Sequence, residues 1–528
     1  MIDQVDGIVV GGGHNGLIAA AYLARCGLQM AVLEAEDHLG GGLSTEEVTL
    51  PGFRHNLHAF FVRWTPDYTI WEDLDLDRYG VRSIWPEVQN GLPFDGGERA
   101  LVTYRDLGRS LEEIRRISPA DADTYQRLHS EFSELVTRIE VPLRFAPPME
   151  PDRLEELLSA SQVGRRYLEL TQRSALDVVC NAFESEPVRA LVLFNVSVRG
   201  YLPVLDVPGT GPIVALALPN SHEGRIIAGG TAEAARALAA AVSDAGGVVS
   251  SGQRVVRIEV EGGRASGVVL EDGRRIRARR FVASSVPAAI TLREMVEAPL
   301  EPELDSALAG YRWLEEALFG VHWALEERPR FRAETYAPDL PRALNLALGY
   351  ETSRDLVDHM HAVRSSANTP HGAIHSSIPT IHDPSQAPPG RHTSFGWHFV
   401  PGPPMRGRWD PEATAERQEA IVSTYRHYAP NLDSITLGIA IHTPDDTERY
   451  DKAMRGGDRH HGSYHPDNWG VRRSHLGGYR TPIEGLYLCG SSQHPGGSFT
   501  GQPGYNAAGV IAEDLGLDRW WPRLDLQL

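Results

Sequence analysis

Cysteine is scarce. The 528 residues hold three, Cys26, Cys180 and Cys489, no two of them close in sequence and none in a CxxC pair. That excludes a disulfide framework and fits a reducing, cytoplasmic setting. Long apolar runs are missing too. No segment reaches the roughly 18 uninterrupted apolar residues of a membrane-spanning helix. The N-terminus lacks the charged leader, apolar core and cleavage site of a secretory signal. Positive charge is in deficit, with 51 Lys and Arg against 70 Asp and Glu and a net charge of -19. Without a basic patch such a chain repels nucleic acid. It also gains nothing from charge at an anionic membrane surface. Insertion of a small apolar patch is compatible with these features, so a peripheral membrane contact stays open. The cluster Asp458, His460, His461 and His465 has no partner Cys and no HExxH pattern beside it. It reads as a polar loop over an entrance, and no metal site is expected.

What is present is an ordinary globular composition, 41% apolar and 23% charged. The length suits roughly three or four domain-sized units and a core large enough to enclose a ligand.

The opening reads as strand, tight turn, helix, strand. Ile8, Val9 and Val10 form a short apolar run of the kind buried in a parallel sheet. Residues 11–16, Gly11, Gly12, Gly13, His14, Asn15 and Gly16, satisfy GxGxxG. The first glycine permits the turn, the second lets backbone approach a pyrophosphate, and the third lets helix pack on strand. Residues 17–25 are rich in Ala and Leu and helix-forming, with Gly27 as the stop. Ala31, Val32 and Leu33 are the second strand. Glu34 follows, 18 residues beyond Gly16, where a carboxylate can accept from ribose hydroxyls. Gly40, Gly41, Gly42, Leu43, Ser44 and Thr45 form a second glycine cluster that can bring backbone close to a cofactor.

Farther on, Thr231 is expected to cap a helix whose Leu238, Ala241, Val242 and Ala245 share one face, ended by Gly246. Segments 255–260, 265–270 and 276–282 follow, separated by two hairpin signals, and predict a three-stranded meander. Residues 485–490 read as a buried strand meeting a glycine. A Gly/Pro/Ser loop runs from 490, with a helix expected from about Asn506. The stretches 76–214 and 301–474 are irregular in period. The expected fold is α/β: a Rossmann-type nucleotide domain assembled from 1–75, 215–300 and 475–528. Segment 76–214 is expected to be a substrate or lid segment, and 301–474 a mixed α+β substrate domain.

Three stretches carry a family likeness: GGGHNGLIAAAYLARCG at 11–27, RIIAGGTAEAARALAAAV at 225–242 and TPIEGLYLCGSSQHPGGSFTGQPGYNAA at 481–508. Shorter echoes lie at 378–393 and 428–432. Together they resemble the phytoene-desaturase-like flavoprotein superfamily, whose FAD domain is shared with amine oxidases. The branch is the one with desaturase-type carotene ketolases and pyridine nucleotide-disulfide oxidoreductase domain 2 proteins. The likeness implies noncovalent FAD, with Gly11, Gly13, His14, Asn15 and Gly16 at the pyrophosphate and Glu34 at the adenosine ribose. It implies Val255 at the adenine through its backbone. Gly490, Ser491 and a turn of Gly501, Gln502, Pro503 and Gly504 would lie along the ribityl chain and flavin. Many relatives have Arg or Ala after the paired glycines where this chain has Leu43, so Gly41, Gly42 and Leu43 are expected to contact FAD through backbone alone.

Only one nucleotide fingerprint is present, which argues for reoxidation by oxygen, a quinone or another carrier rather than by a nicotinamide. Flavin chemistry needs a substrate C–H held against the ring with water excluded. If a proton must also leave, His58, His494 and Tyr505 are the candidate catalytic residues, with His55 beside them. His58 comes first because Ala59, Phe60 and Phe61 suggest burial. The same residues read equally well as structural hydrogen-bonding groups. Residues 188–205 suit either an apolar tunnel, a membrane-facing lid or plain core, and Trp64, Trp397 and His398 either bind a cyclic substrate or pack.

The leading expectation is an FAD-dependent dehydrogenase or desaturase acting on a largely apolar or cyclic organic small molecule. An oxygen-using oxidase or ketolase on a terpenoid or amine is the second reading. A non-catalytic FAD-binding scaffold is the third, and the oligomeric state is open.

Overall fold

An apolar run covered by helices on both sides becomes a parallel strand, and the opening forms one. The computed structural model describes residues 3–63, 69–366, 372–402 and 409–528. In it, strand Gln4–Val10 leads into helix His14–Arg25 and strand Met30–Leu33. The two strands pair in parallel from Gly7 opposite Met30 to Val10 opposite Leu33. Ala19, Ala20 and Ala21 of the helix are fully buried. Their small side chains let it lie against helices Ala232–Asp244 and Gln502–Asp514.

Three more parallel strands complete this sheet. Val248–Ser250 lies outside Met30–Leu33, Arg275–Ser284 lies on the other side of Gln4–Val10, and Leu486–Leu488 pairs with the end of Arg275–Ser284. The beginning of that strand pairs antiparallel with Arg264–Leu270, which pairs with Val255–Glu261. One long strand thus joins the meander to the parallel sheet. The first hairpin turns on Gly262 and Gly263, both at positive φ (60° and 83°), which a tight two-residue turn requires.

A second seven-stranded sheet runs in the order Thr436–His442, Glu316–Leu325, His392–Pro401, Ile374–Ser377, Asn345–Leu348, Val88–Phe94, Arg99–Tyr104. Its pairs are antiparallel except Asn345–Leu348 with Val88–Phe94. Segment 76–214 therefore supplies two strands to a sheet otherwise built from 316–442. One face is closed by helix Pro411–Tyr428, with Tyr425 edge-on to Trp323 at 5.2 Å. The other face looks toward the nucleotide domain.

Most of 107–220 is helical, from Leu107–Ile117 to Gly211–Asn220. Glu186–Val196 and Gly211–Asn220 are buried nearly all round, so they carry no amphipathic period to read. Asp106, Ser118, Ser161 and Ser174 each cap a helix here by accepting a backbone N–H. Those caps, with the one-sided burial of Leu107–Ile117 and Pro119–Leu135, are the legible signals of this stretch.

Two boundaries differ from expectation. Thr231 precedes helix Ala232–Asp244 but does not cap it. Its hydroxyl lies within hydrogen-bond reach of Ser44 O, Asn56 Oδ1 and Ala59 O, so it ties the early loop to the helix instead. The last helix begins at Gln502 rather than near Asn506, with Gly501 before it at φ 73° and Pro503 in its first turn. Among the described residues no helix is long and apolar enough to cross a membrane.

Candidate active site

The carboxyl ends of the parallel strands open on a cavity of about 490 Å³ that extends to the second sheet. Crevices at this edge of an α/β sheet are where dinucleotides bind. Gly11 takes φ 92°, which only glycine adopts freely. Gly16 lies so close to strand and turn that a Cβ would stand 2.3 Å from Gly11 O. Gly13 is the opposite case: a Cβ there would meet nothing within 4 Å. The turn is tight at its first glycine and packed at its third. It is open at the second, where the cavity begins.

Glu34 holds this turn. Gly12 N–H donates to its Oε2 at 2.6 Å, and Glu36 N–H donates to its Oε1 at 2.9 Å. Burial pushes its pKa up, and Asp451 adds to that. The second glycine loop crosses directly over the first: Gly40 N–H donates to Gly12 O at 2.9 Å, and a Cβ on Gly41 would lie 3.5 Å from Gly13 Cα. Gly41, Gly42 and Leu43 line the cavity, as do Val255, Gly490 and Ser491. Asn15 ties three segments together. Its Nδ2 donates to Ser491 Oγ at 3.0 Å, and its Oδ1 accepts from Gly504 N–H at 3.3 Å. His14 lies 3.2 Å from Ser498 O, and burial lowers its pKa to about 4.

The far end is walled by the second sheet. Side chains alternate along a strand, so Trp397 and Phe399 reach the cavity together. His398, between them, turns away to Ala373 O at 2.7 Å. Register brings His375 opposite Trp397 and Leu318 opposite Phe399. Phe60 packs on Phe395 and Trp397 from the early loop. Charge divides with shape. The carboxylates on the wall are Glu34, Glu36, Glu294 and Asp451. Glu36 pairs with Arg254 at 2.9 Å and Glu294 with Arg455 at 2.5 Å. Asp451 would sit 3.5 Å from a Cβ on Gly41, so these acids gather at the glycine end. Among the described residues none lines the aromatic end. Glu316 lies behind it, fully buried, its Oε1 accepting from Arg459 Nη2 at 2.7 Å. Burial raises its pKa to about 7 against the pull of Arg459.

Of the three catalytic candidates, only His58 reaches the cavity. Both its ring nitrogens are already engaged, Nδ1 3.0 Å from Ser44 Oγ and Nε2 3.1 Å from His442 Nε2. Burial, with His442 and Arg459, holds its pKa well below the usual value. It is a neutral spacer in this arrangement rather than a ready base. His494 and Tyr505 are corrections. His494 donates to Leu143 O at 2.9 Å and Tyr505 to Pro522 O at 2.6 Å, and neither lines the cavity. His55 lies 2.8 Å from Thr49 Oγ1, also away from the cavity. Gly501, Gln502, Pro503 and Gly504 are not a turn along the cavity. They begin the last helix, and Gly504 presses so close to Asn15 that a Cβ would stand 2.2 Å from its carbonyl oxygen. Ser498, Phe499 and Thr500 face the cavity in their place. Trp64 lies outside the described residues.

The 458–465 cluster is split. The Asp458 carboxylate accepts backbone N–H groups of Leu314, His460 and Gly462, which fixes the loop. His460 and His461 reach the cavity. Of 188–205, all but Val198 and Arg199 stay off the cavity wall. Sequence reasoning passed over Arg199, Leu318, Phe399 and Arg459 as wall residues. The alternation of 395, 397 and 399 was the signal for Phe399; the others carry none.

A glycine turn closing a parallel sheet over a cavity that ends in a second, aromatic sheet defines a dinucleotide-dependent redox enzyme. The chain belongs to the flavin-containing amine oxidoreductase family, whose model matches residues 16–504. It is 30% identical to one of the subunits of limonene dehydrogenase from Castellaniella defragrans, over 99% of this chain and 97% of that one. It is 28% identical to mouse (Mus musculus) pyridine nucleotide-disulfide oxidoreductase domain-containing protein 2, over 97% and 94%. Cyclohexylamine oxidase from Brevibacterium oxydans shares the fold, with a TM-score of 0.59 at 19% identity and coverage of 97% and 99%. The protein is an FAD-dependent oxidoreductase with a Rossmann-type domain and a substrate domain. The residues present fit that cofactor. The open space at Gly13, beside the first N–H groups of a helix, is a cradle that a side chain would fill.

Proposed function

We propose that the enzyme is a dehydrogenase or desaturase that takes a hydride from a largely apolar or cyclic organic molecule. The observation that carries this is the division of the cavity. Its aromatic end offers Phe60, Leu318, Trp397 and Phe399 and, among the described residues, no carboxylate. A protonated amine would lack a counter-charge there, and burying it unpaired is costly. The name of the limonene dehydrogenase relative points the same way.

In this reading Gly11, Gly13 and the backbone of Gly41, Gly42 and Leu43 hold the pyrophosphate of FAD. Glu34 meets the ribose, Val255 the adenine, and Gly490 and Ser491 the flavin side. When bound, FAD supplies the hydride acceptor. The aromatic wall positions the substrate C–H by shape and excludes water. His58, neutral and held by Ser44 and His442, lines the cavity without adding charge. The electron acceptor that returns the enzyme to its oxidised form is oxygen, a quinone or another carrier.

Anaerobic addition of terpenoid, alicyclic and amine compounds to the purified holoenzyme tests this. Bleaching of the flavin absorbance by an alicyclic or terpenoid compound is expected. Bleaching by amines alone would overturn it. Stoichiometric oxygen uptake during turnover would favour the oxidase variant.

A further inference from the structure

Among the described residues two cations on the cavity wall have no ion pair, Lys452, which is exposed, and Arg199, which is not. Helix Glu186–Val196 runs through the core and ends in the irregular turn Ser197–Tyr201, where Gly200 adopts φ 90°. Turns of this wide type concentrate at functional sites. Gly200 presses on Tyr464, so that a Cβ would stand 2.9 Å from the ring, and Tyr201 stacks on the same ring at 4.7 Å. That packing turns Val198 and Arg199 out of the core and onto the cavity wall.

Arg199 makes no hydrogen bond or ion pair among the described residues, and its Nε and Nη2 are inaccessible and unpartnered. The charge that acts on it most is of the same sign. Burial pushes the Arg199 pKa down to about 10, and Arg144, which pairs with Glu140 at 2.8 Å, adds to that. Arg199 is therefore still charged at neutral pH. A guanidinium with Nε and Nη2 out of reach of water and unpartnered loses their hydration and recovers nothing for it. Other internal arginines are engaged: Arg459 pairs with Glu316 and Arg144 with Glu140, and Arg473 donates to the backbone carbonyls of Ser463, His460 and Ser491. The carboxylates on the cavity wall all sit at the glycine end.

We propose that Arg199 is the receptor for an anionic group on the substrate, so that the enzyme acts on an amphipathic carboxylic acid. The apolar body lies against Phe60, Trp397 and Phe399, and the carboxylate pairs with the guanidinium. A planar, forked donor set suits a carboxylate in two-point contact. The proposal rests on the hydride-transfer reading above and names the substrate class for that site. It predicts which molecules enter, and Arg199 acts as a specificity determinant without taking part in bond breaking.

The test is binding without turnover. Flavin difference spectra of the holoenzyme are titrated with cyclohexanecarboxylate and with its neutral isostere cyclohexanecarboxamide, for the wild type, Arg199→Leu and Arg199→Lys. The wild type is expected to bind the carboxylate about tenfold or more tighter than the amide. Arg199→Leu should keep FAD and lose that preference, and Arg199→Lys should keep part of it. Three results overturn the proposal: no carboxylate preference in the wild type, a preference that survives Arg199→Leu, or release of FAD by Arg199→Leu and Arg199→Lys alike, which would make the residue a cofactor ligand. If Arg199→Leu fails to fold, the wild-type ratio and Arg199→Lys decide. Because no turnover is read, failure here leaves the hydride-transfer reading standing, and failure of anaerobic bleaching leaves this ratio measurable.

Discussion

At the glycine end of the cavity, Gly11, Gly13, Gly41 and Gly42 present backbone, and the side chains that organise the turn, Glu34 and Ser285, do so by bonding backbone N–H and C=O groups. At the aromatic end the wall is all side chain, from Phe60, Leu318, His375, Trp397 and Phe399. Backbone recognition tolerates little variation in shape because any added atom fills the space a ligand needs. A side-chain wall can be rebuilt residue by residue while the sheet beneath it stays the same. The difference explains how one fold keeps its cofactor and changes its substrate.

The sharpest way to break this contrast is within the glycine turn itself. Gly13→Ala puts a methyl into open space, so the cofactor-free protein should melt unchanged while FAD affinity falls about 100-fold. Gly16→Ala drives a methyl toward Gly11 O, so it should destabilise the fold by about 2 kcal/mol. Fluorescence titration with FAD and thermal melts of both variants separate the two effects. Equal behaviour of the pair would end the distinction between open and packed glycines.

Trp397→Ala probes the other end. FAD should remain bound, kcat/KM for an apolar substrate should fall about 100-fold, and the fold should lose about 3 kcal/mol. A variant that sheds FAD instead would join the two ends into one site.

His494 lies off the cavity, in the loop that links the last strand to the last helix. Burial lowers its pKa to about 4 from 6.5. A histidine with a depressed folded pKa leaves stability unaffected above about 6.5. It costs stability as pH falls from there toward 4, because only the unfolded chain takes up the proton. The loss between pH 7 and 5 is about 2 kcal/mol for such a shift. His494→Gln can still donate to Leu143 O and does not titrate. Denaturant melts at pH 7 and pH 5 should therefore show a shallower acid limb by about that amount. An unchanged limb would place the proton elsewhere.

The smallest effect is expected at His58. With both ring nitrogens engaged, His58→Gln should change kcat/KM less than about tenfold and leave the pH profile in place. Loss of a general base costs about 100-fold or more. A collapse of that size, with an altered acid limb, would restore His58 as the base.

Within 107–220 the helices Glu186–Val196 and Gly211–Asn220 are illegible in the sequence because they are buried nearly all round and carry no period, although Leu107–Ile117 and Pro119–Leu135 bury one face behind Asp and Ser caps that are in view. The Rossmann segments are legible for the opposite reason: a GxGxxG turn, a short apolar strand and a Gly-Gly hairpin are each specified by neighbours a few residues apart. The placing of His494 and Tyr505 by sequence failed on direction, since proximity to the flavin loop says nothing about which way a ring points. Both rings point to backbone carbonyls.

By itself the sequence determined the α/β class, the single dinucleotide fingerprint with its acidic partner and the meander, all of which depend on local backbone conformation and the period of apolar residues. FAD as the cofactor followed from the family resemblance of those segments. Only the tertiary structure decided the aromatic wall, the division of charge along the cavity and the isolation of Arg199. These arise where strands and turns more than a hundred residues apart meet, and what a side chain lacks is visible only once every neighbour is in place.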